Sequence, residues 1–120
     1  MRPETSDISY LWDMLDAARA IRDFLTGKDF DDYAHDRLLR GAVERHIEII
    51  GKAARNVSAA CRDAHTEIPW TKIIAQRHVL AHEYGEVRHD RIWLVAAVHI
   101  PDLIDKLERL VPPPPKEDQP

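Results

Sequence analysis

The sequence predicts an all-α fold, and three observations carry that expectation. Only 4 of the 120 residues are glycine, while 44% are apolar and 32% charged, a balance that suits helices better than a strand-and-turn architecture. Apolar residues recur at steps of three and four along four separate stretches, as helices with one buried face require. The length suits one hydrophobic core, so a single up-and-down bundle of four main helices is expected.

Each helix has its own signals. Ser6 or Asp7 is placed to cap a first helix with apolar positions Ile8, Leu11, Trp12, Leu15, Ala18, Ile21 and Leu25, and Gly27 is its stop. Leu39, Val43, Ile47, Ile50, Ala54 and Val57 define a long second helix, from about Asp36 to Ala60, in which Gly51 marks close packing. Pro69 suits the first turn of a third helix, where its missing N–H costs nothing, and that helix should end near Gly85. A fourth begins near Asp90. Its stripe of Trp93, Ala96, Ala97, Ile100, Leu103, Ile104, Leu107 and Leu110 keeps phase across Pro101, which predicts one kinked helix. Residues 1–111 thus form the domain, and the terminal "PPPPKEDQP", residues 112–120, is expected to be a disordered, extended tail. No internal repeat is visible.

Composition narrows the function classes. Cys61 is the single cysteine, which excludes an intramolecular disulfide and a cysteine-based zinc cluster. No run approaches the roughly eighteen apolar residues of a membrane span, and no signal peptide is visible, so a cytoplasmic protein is expected. The net charge of −4 argues against a nonspecific nucleic-acid coat, but the charge is unevenly spread. Residues 1–36 carry −5, residues 37–62 carry +4 and residues 63–120 carry −3. The basic segment holds Arg37, Arg40, Arg45, Lys52, Arg55 and Arg62, which either meet phosphates or form a solvated helix face.

The third helix holds the residues that need explaining. At roughly 100° per residue, Arg77 falls inside the stripe made by Trp70, Ile73, Ile74, Leu80, Ala81 and Tyr84. An unpaired guanidinium there is costly, so Arg77 either pairs with Glu44 or Glu48 of the second helix or faces a site that holds an anion. His78 and His82 share a flank of the stripe at a spacing also found in metal sites, with Glu83, His89 or Asp90 as the only third ligands in view. With no HExxH sequence and no nearby cysteine, two surface histidines are the plainer reading. Arg77 and His82 lie about 140° apart around the helix, too far to act on one small group within one chain. A two-fold axis resolves this by presenting two arginines and two histidines to a shared cleft. That composition suits metal-free RNA cleavage: histidine takes the ribose 2′-OH proton and returns one to the leaving oxygen, while arginine binds the phosphate.

The stretches "AVERHIEIIGKAARNVS", "EIPWTKIIAQRHVLAHEYGEV" and "IWLVAAVHIPDLIDKLERL", in this order, resemble the HepT-like toxins of the HEPN superfamily from about Tyr10 to Leu110. The family's motif, Arg, four residues, His, one residue, Tyr, falls on Arg77, His82 and Tyr84, preceded by "IPW" and followed by glycine. The resemblance implies a HEPN-like helical homodimer with both motifs in one cleft, acting as a metal-independent endoribonuclease through Arg77 and His82, with no cofactor. It also implies a toxin–antitoxin pair, in which an MntA-type nucleotidyltransferase silences the toxin by transferring AMP onto Tyr84. The adenylate would place negative charge and bulk beside a cationic cleft. Two positions depart from the family pattern. His78 stands where a small polar residue is usual, adding a possible accessory acid–base group, and Lys52 stands where "IIGEA" has an acid. Two other readings remain: a noncatalytic dimer that scaffolds a nucleotidyltransferase, and a metal-dependent phosphoesterase using His78, His82 and His89.

Overall fold

The computed structural model describes residues 5–82 and 89–112, with the backbone alone for Thr5 and for residues 77–82. The described residues are helical, without strands, and form a slab of 41 × 38 × 19 Å, about two helix diameters thick. In order they are α1 (Thr5–Leu25), α2 (Phe30–His35), α3 (Arg37–Asn56), α4 (Ala59–Ala64), α5 (Trp70–His82), α6 (His89–Leu94), a π turn (Val95–His99) and α7 (Ile100–Leu110).

α3 is the central element. It packs against α1 on one side and α5 on the other, and α1 also packs on α7. Its buried residues Leu39, Val43, Ile47, Ile50, Gly51, Ala53 and Ala54 follow the helical period expected from the sequence, with Gly51 among them. They meet Leu11, Met14, Leu15, Ala18 and Ile21 of α1 and Leu103, Ile104 and Leu107 of α7 in one core. α1 stops at Leu25, and Gly27 adopts a positive φ of 75° in the following turn, a conformation that glycine accepts without steric cost.

Two short helices depart from the expected order. The polar link after Gly27 contains α2, held by a capping box in which Asp29 accepts from the Asp32 N–H and Asp32 from the Asp29 N–H. The long second helix ends at Asn56, not Ala60, because Ser58 starts a new helix: its Oγ accepts from the Cys61 N–H at 3.1 Å and caps α4.

Asp7 does not cap α1. It lies inside the first turn, 3% exposed, and its carboxylate accepts from both the Ser58 N–H, at 2.8 Å, and the Ser58 hydroxyl, at 2.7 Å. Pro69 sits one position before its expected place, with its carbonyl accepting from the Ile73 N–H, the bond made by an N-cap residue. Around Pro101 the helix continues from α6 to α7 through the π turn, where the Ile100 N–H reaches the Val95 carbonyl. One extra residue in that turn re-registers the backbone just before a proline that has no N–H to give.

Candidate functional site

α5 carries Arg77 and His82 of the motif, and its start is firmly anchored. The buried Trp70 donates its indole N–H to the His65 carbonyl at 3.0 Å, while Ile73 and Ile74 pack against the core. The first half of α5, through Lys72, Ile73 and Gln76, faces Ile47 and Ile50 of α3 across a shared groove. Arg77, His78 and His82 lie on the second half of α5. Their side chains, and the whole of Glu83 and Tyr84, lie outside the described residues. The expected pairing of Arg77 with Glu44 or Glu48 and the histidine triad therefore lie outside them too. Among the described residues no three His, Cys, Asp or Glu side chains group as a metal site would.

The chain re-enters the described structure at His89, beside the N-terminal half of α3. There the His89 and Tyr33 rings meet edge to face at 6.5 Å, Trp93 lies 5.6 Å from Tyr33, and Phe30 lies 6.1 Å from Trp93. Glu44 belongs to this cluster. Burial pushes its carboxyl above the usual glutamate range and Glu48 adds to the push, while His89 and Arg40 oppose it. Tyr33 is fully buried and its hydroxyl has no hydrogen-bond partner among the described residues. Burial, helped by Glu44 and opposed by Arg40, raises its phenol well above the ordinary tyrosine value. α5, whose second half bears Arg77 and His82, packs against α3. Periodicity gave no sign of the cluster, because Tyr33 and His89 come from segments outside the two stripes they join.

The cations of residues 37–62 do not form one phosphate-binding face. Arg40 donates to the Ala34 carbonyl at 2.6 Å and the Tyr33 carbonyl at 3.4 Å, closing the C-terminal end of α2. Arg45 and Lys52 line a cleft between α1 and α3 together with Asp13, Asp16 and Glu48, and Arg45 lies 3.5 Å from Glu48. Arg62 is partly buried on α4. Arg37 and Arg55 remain exposed near opposite ends of α3. Among the described residues no helix is long and apolar enough to cross a membrane.

Comparison with known proteins places this arrangement. A family model described as "Ribonuclease HepT-like" matches residues 14–110. The chain is 35% identical to a "Probable ribonuclease HepT" of Thermococcus cleftensis over 84% of its own length and 92% of that protein. It is 31% identical to "Putative RNase TTE0752" of Caldanaerobacter subterraneus subsp. tengcongensis, over 85% and 91% of the two chains. With "Putative RNase MJ1380" of Methanocaldococcus jannaschii the identity is 26% over 83% and 92%. No solved structure matches the chain. The family match covers most of α1 and every helix from α2 to α7, and the chain belongs to the HepT-like ribonuclease family.

Proposed function

We propose that this chain is a metal-independent endoribonuclease acting as the toxin of a toxin–antitoxin pair, in the cytoplasm, as a homodimer whose two α5 helices border one cleft. The observation that carries the reading is the family match across residues 14–110, with Arg77, His82 and Tyr84 in the family's spacing inside it. Arg77 binds the scissile phosphate through paired donors. His82 takes the 2′-OH proton, O2′ bonds to phosphorus, and the P–O5′ bond breaks. The proton that His82 has taken then passes to the departing O5′, which completes the 5′-hydroxyl and leaves a 2′,3′-cyclic phosphate. His78, four residues before His82, is an accessory proton carrier. Tyr84 is the inactivation point, where a nucleotidyltransferase antitoxin of the MntA type attaches AMP. Its phosphate occupies the cations that RNA needs. Residues 1–111 constitute the working domain.

The test is RNA cleavage by the purified, unmodified protein in excess chelator, wild type beside Arg77→Ala and His82→Ala, with product ends analysed. Cyclic phosphate ends from the wild type and none from either variant support the mechanism. A dimeric wild type that leaves RNA intact yet binds the nucleotidyltransferase favours the scaffold reading, and activity that appears only with added metal favours the histidine cluster.

A further inference from the structure

His89 is an exposed residue with a fixed ring. It opens α6 and is accessible to solvent, yet the Tyr33 ring of α2 meets its imidazole edge to face at 6.5 Å, and Glu44 of α3 interacts with its charge. Tyr33 is itself immobilised. It is fully buried, tilted against Trp93 at 5.6 Å, and Arg40 donates to its carbonyl and to that of Ala34. An imidazole that solvent reaches, held by a carboxylate and by a buried aromatic base, is built as an oriented acid–base group.

The course of the chain turns α5 towards this ring. α5 starts just after α4, where Trp70 donates to the His65 carbonyl, and α4 follows the C-terminal end of α3. The chain returns at His89 beside Tyr33, which precedes α3, and beside Glu44 in the N-terminal half of α3. Because α5 packs on α3 and covers about 18 Å of the path between these points, the end that carries His82 is the end nearer His89.

We propose that His89 is a second acid–base residue of the cleavage reaction, acting on the leaving oxygen. The inference rests on the ribonuclease reading above and adds the group that carries the proton to O5′. In-line displacement sets the attacking O2′ and the departing O5′ on opposite sides of phosphorus, so an imidazole in contact with one is not in contact with the other. His89, as the imidazolium, gives its proton to O5′ while the P–O5′ bond breaks. The proton that His82 took from the 2′-OH then recharges His89, and the proton count of the site is unchanged over the turnover. Glu44 and Tyr33 are positioning residues that fix the ring.

The experiment measures single-turnover cleavage by the full chain, in excess chelator, of ordinary RNA and of the same RNA with sulfur in place of the bridging O5′. A thiolate is a far weaker base than an alkoxide and departs without a proton. His89→Gln should cleave ordinary RNA at least about a hundredfold more slowly than wild type and the sulfur substrate within about threefold of it. Glu44→Gln should show a smaller loss that sulfur also erases, whereas His82→Ala should stay slow on both substrates, since the 2′-OH still has to lose its proton. Helix content and melting confirm that each variant is folded. A His89→Gln protein that matches wild type on ordinary RNA, or is equally impaired on both substrates, overturns the role of His89 and leaves the ribonuclease reading intact; so does sulfur rescue of His78→Ala in place of His89→Gln. A wild type that cleaves neither substrate overturns both.

Discussion

Replacing Asp7 with alanine tests whether a single buried carboxylate fastens the start of α1 to the start of α4. Asp7 is 3% exposed and accepts two hydrogen bonds from Ser58, at 2.8 and 2.7 Å, across 51 residues of chain. Ser58 in turn accepts from the Cys61 N–H, so one hydroxyl both caps α4 and holds α1. Hydrogen bonds to an ionised group contribute roughly 1.5–3 kcal/mol each. Ser58 is itself exposed, and water replaces part of what the carboxylate gave, so a net loss of about 2–4 kcal/mol is expected. For a chain of 120 residues the unfolding entropy is about 0.25 kcal/mol/K, so Asp7→Ala should lower Tm by about 8–16 °C. Asp7→Asn keeps the shape and should lose about half as much. Calorimetry on both variants, with a double-mutant cycle against Ser58→Ala, should give a coupling of about 1.5 kcal/mol or more. An Asp7→Ala protein that melts within about 3 °C of wild type, or a coupling near zero, refutes the argument.

Three further outcomes follow from the region around α5. Tyr33→Phe removes a buried hydroxyl that has no partner among the described residues and should raise stability by about 1 kcal/mol, or about 4 °C in Tm; a fall of that size would show that the hydroxyl is bonded. Glu44 is raised above its ordinary 4.5 chiefly by burial, so the folded state holds that proton more tightly than the unfolded one, and its contribution is present below the ordinary value and lost as pH rises through the folded value. Glu44→Gln should therefore stabilise at neutral pH, progressively less as pH falls through the raised folded value, and not at all below the ordinary 4.5, and melting curves that show destabilisation at pH 7 instead would place a cation against that carboxylate. If Arg77 of one copy works with His82 of the other, mixing the inactive Arg77→Ala and His82→Ala proteins should restore about a quarter of wild-type cleavage, because half the dimers are mixed and each mixed dimer has one intact pair. Mixtures as inactive as their parents would count against shared sites.

The main helices were legible because their apolar stripes are long and keep one period. Leu39, Val43, Ile47, Ile50 and Ala54 share one face by their spacing, and all are buried on α3. Short elements were not legible, because one and a half turns carry too few apolar positions to show a period. α2 is set by the Asp29–Asp32 capping box and by Tyr33, and α4 by Ser58. Asp7 looked like a cap since it precedes the first stripe, yet its carboxylate finds a partner 51 residues away, a contact that no local pattern encodes. The site is legible in a different sense. Arg77 breaks the apolar pattern of its own helix, and that conflict marks it without any knowledge of what surrounds it. What the pattern could not supply is the neighbourhood of Glu44, Tyr33 and His89, which three separate segments assemble.

The dispersal of the cations bears on how such a protein holds RNA. Arg40 is engaged by α2, and Arg45 and Lys52 share a cleft with Asp13, Asp16 and Glu48. A monomer therefore offers no continuous basic track along α3, and its net charge of −4 opposes a polyanion at long range. In the proposed homodimer two copies facing each other would change the local balance, since each brings its own Arg77, and the potential of a shared cleft depends on the charges that line it more than on the sum over the chain. Activity then becomes inseparable from association. In the proposed homodimer the two α5 helices border one cleft, so a change that weakens the dimer would remove catalysis by mass action without touching Arg77 or His82. Specific activity should accordingly fall on dilution through the dimer dissociation constant, whereas a self-sufficient monomer would keep it constant.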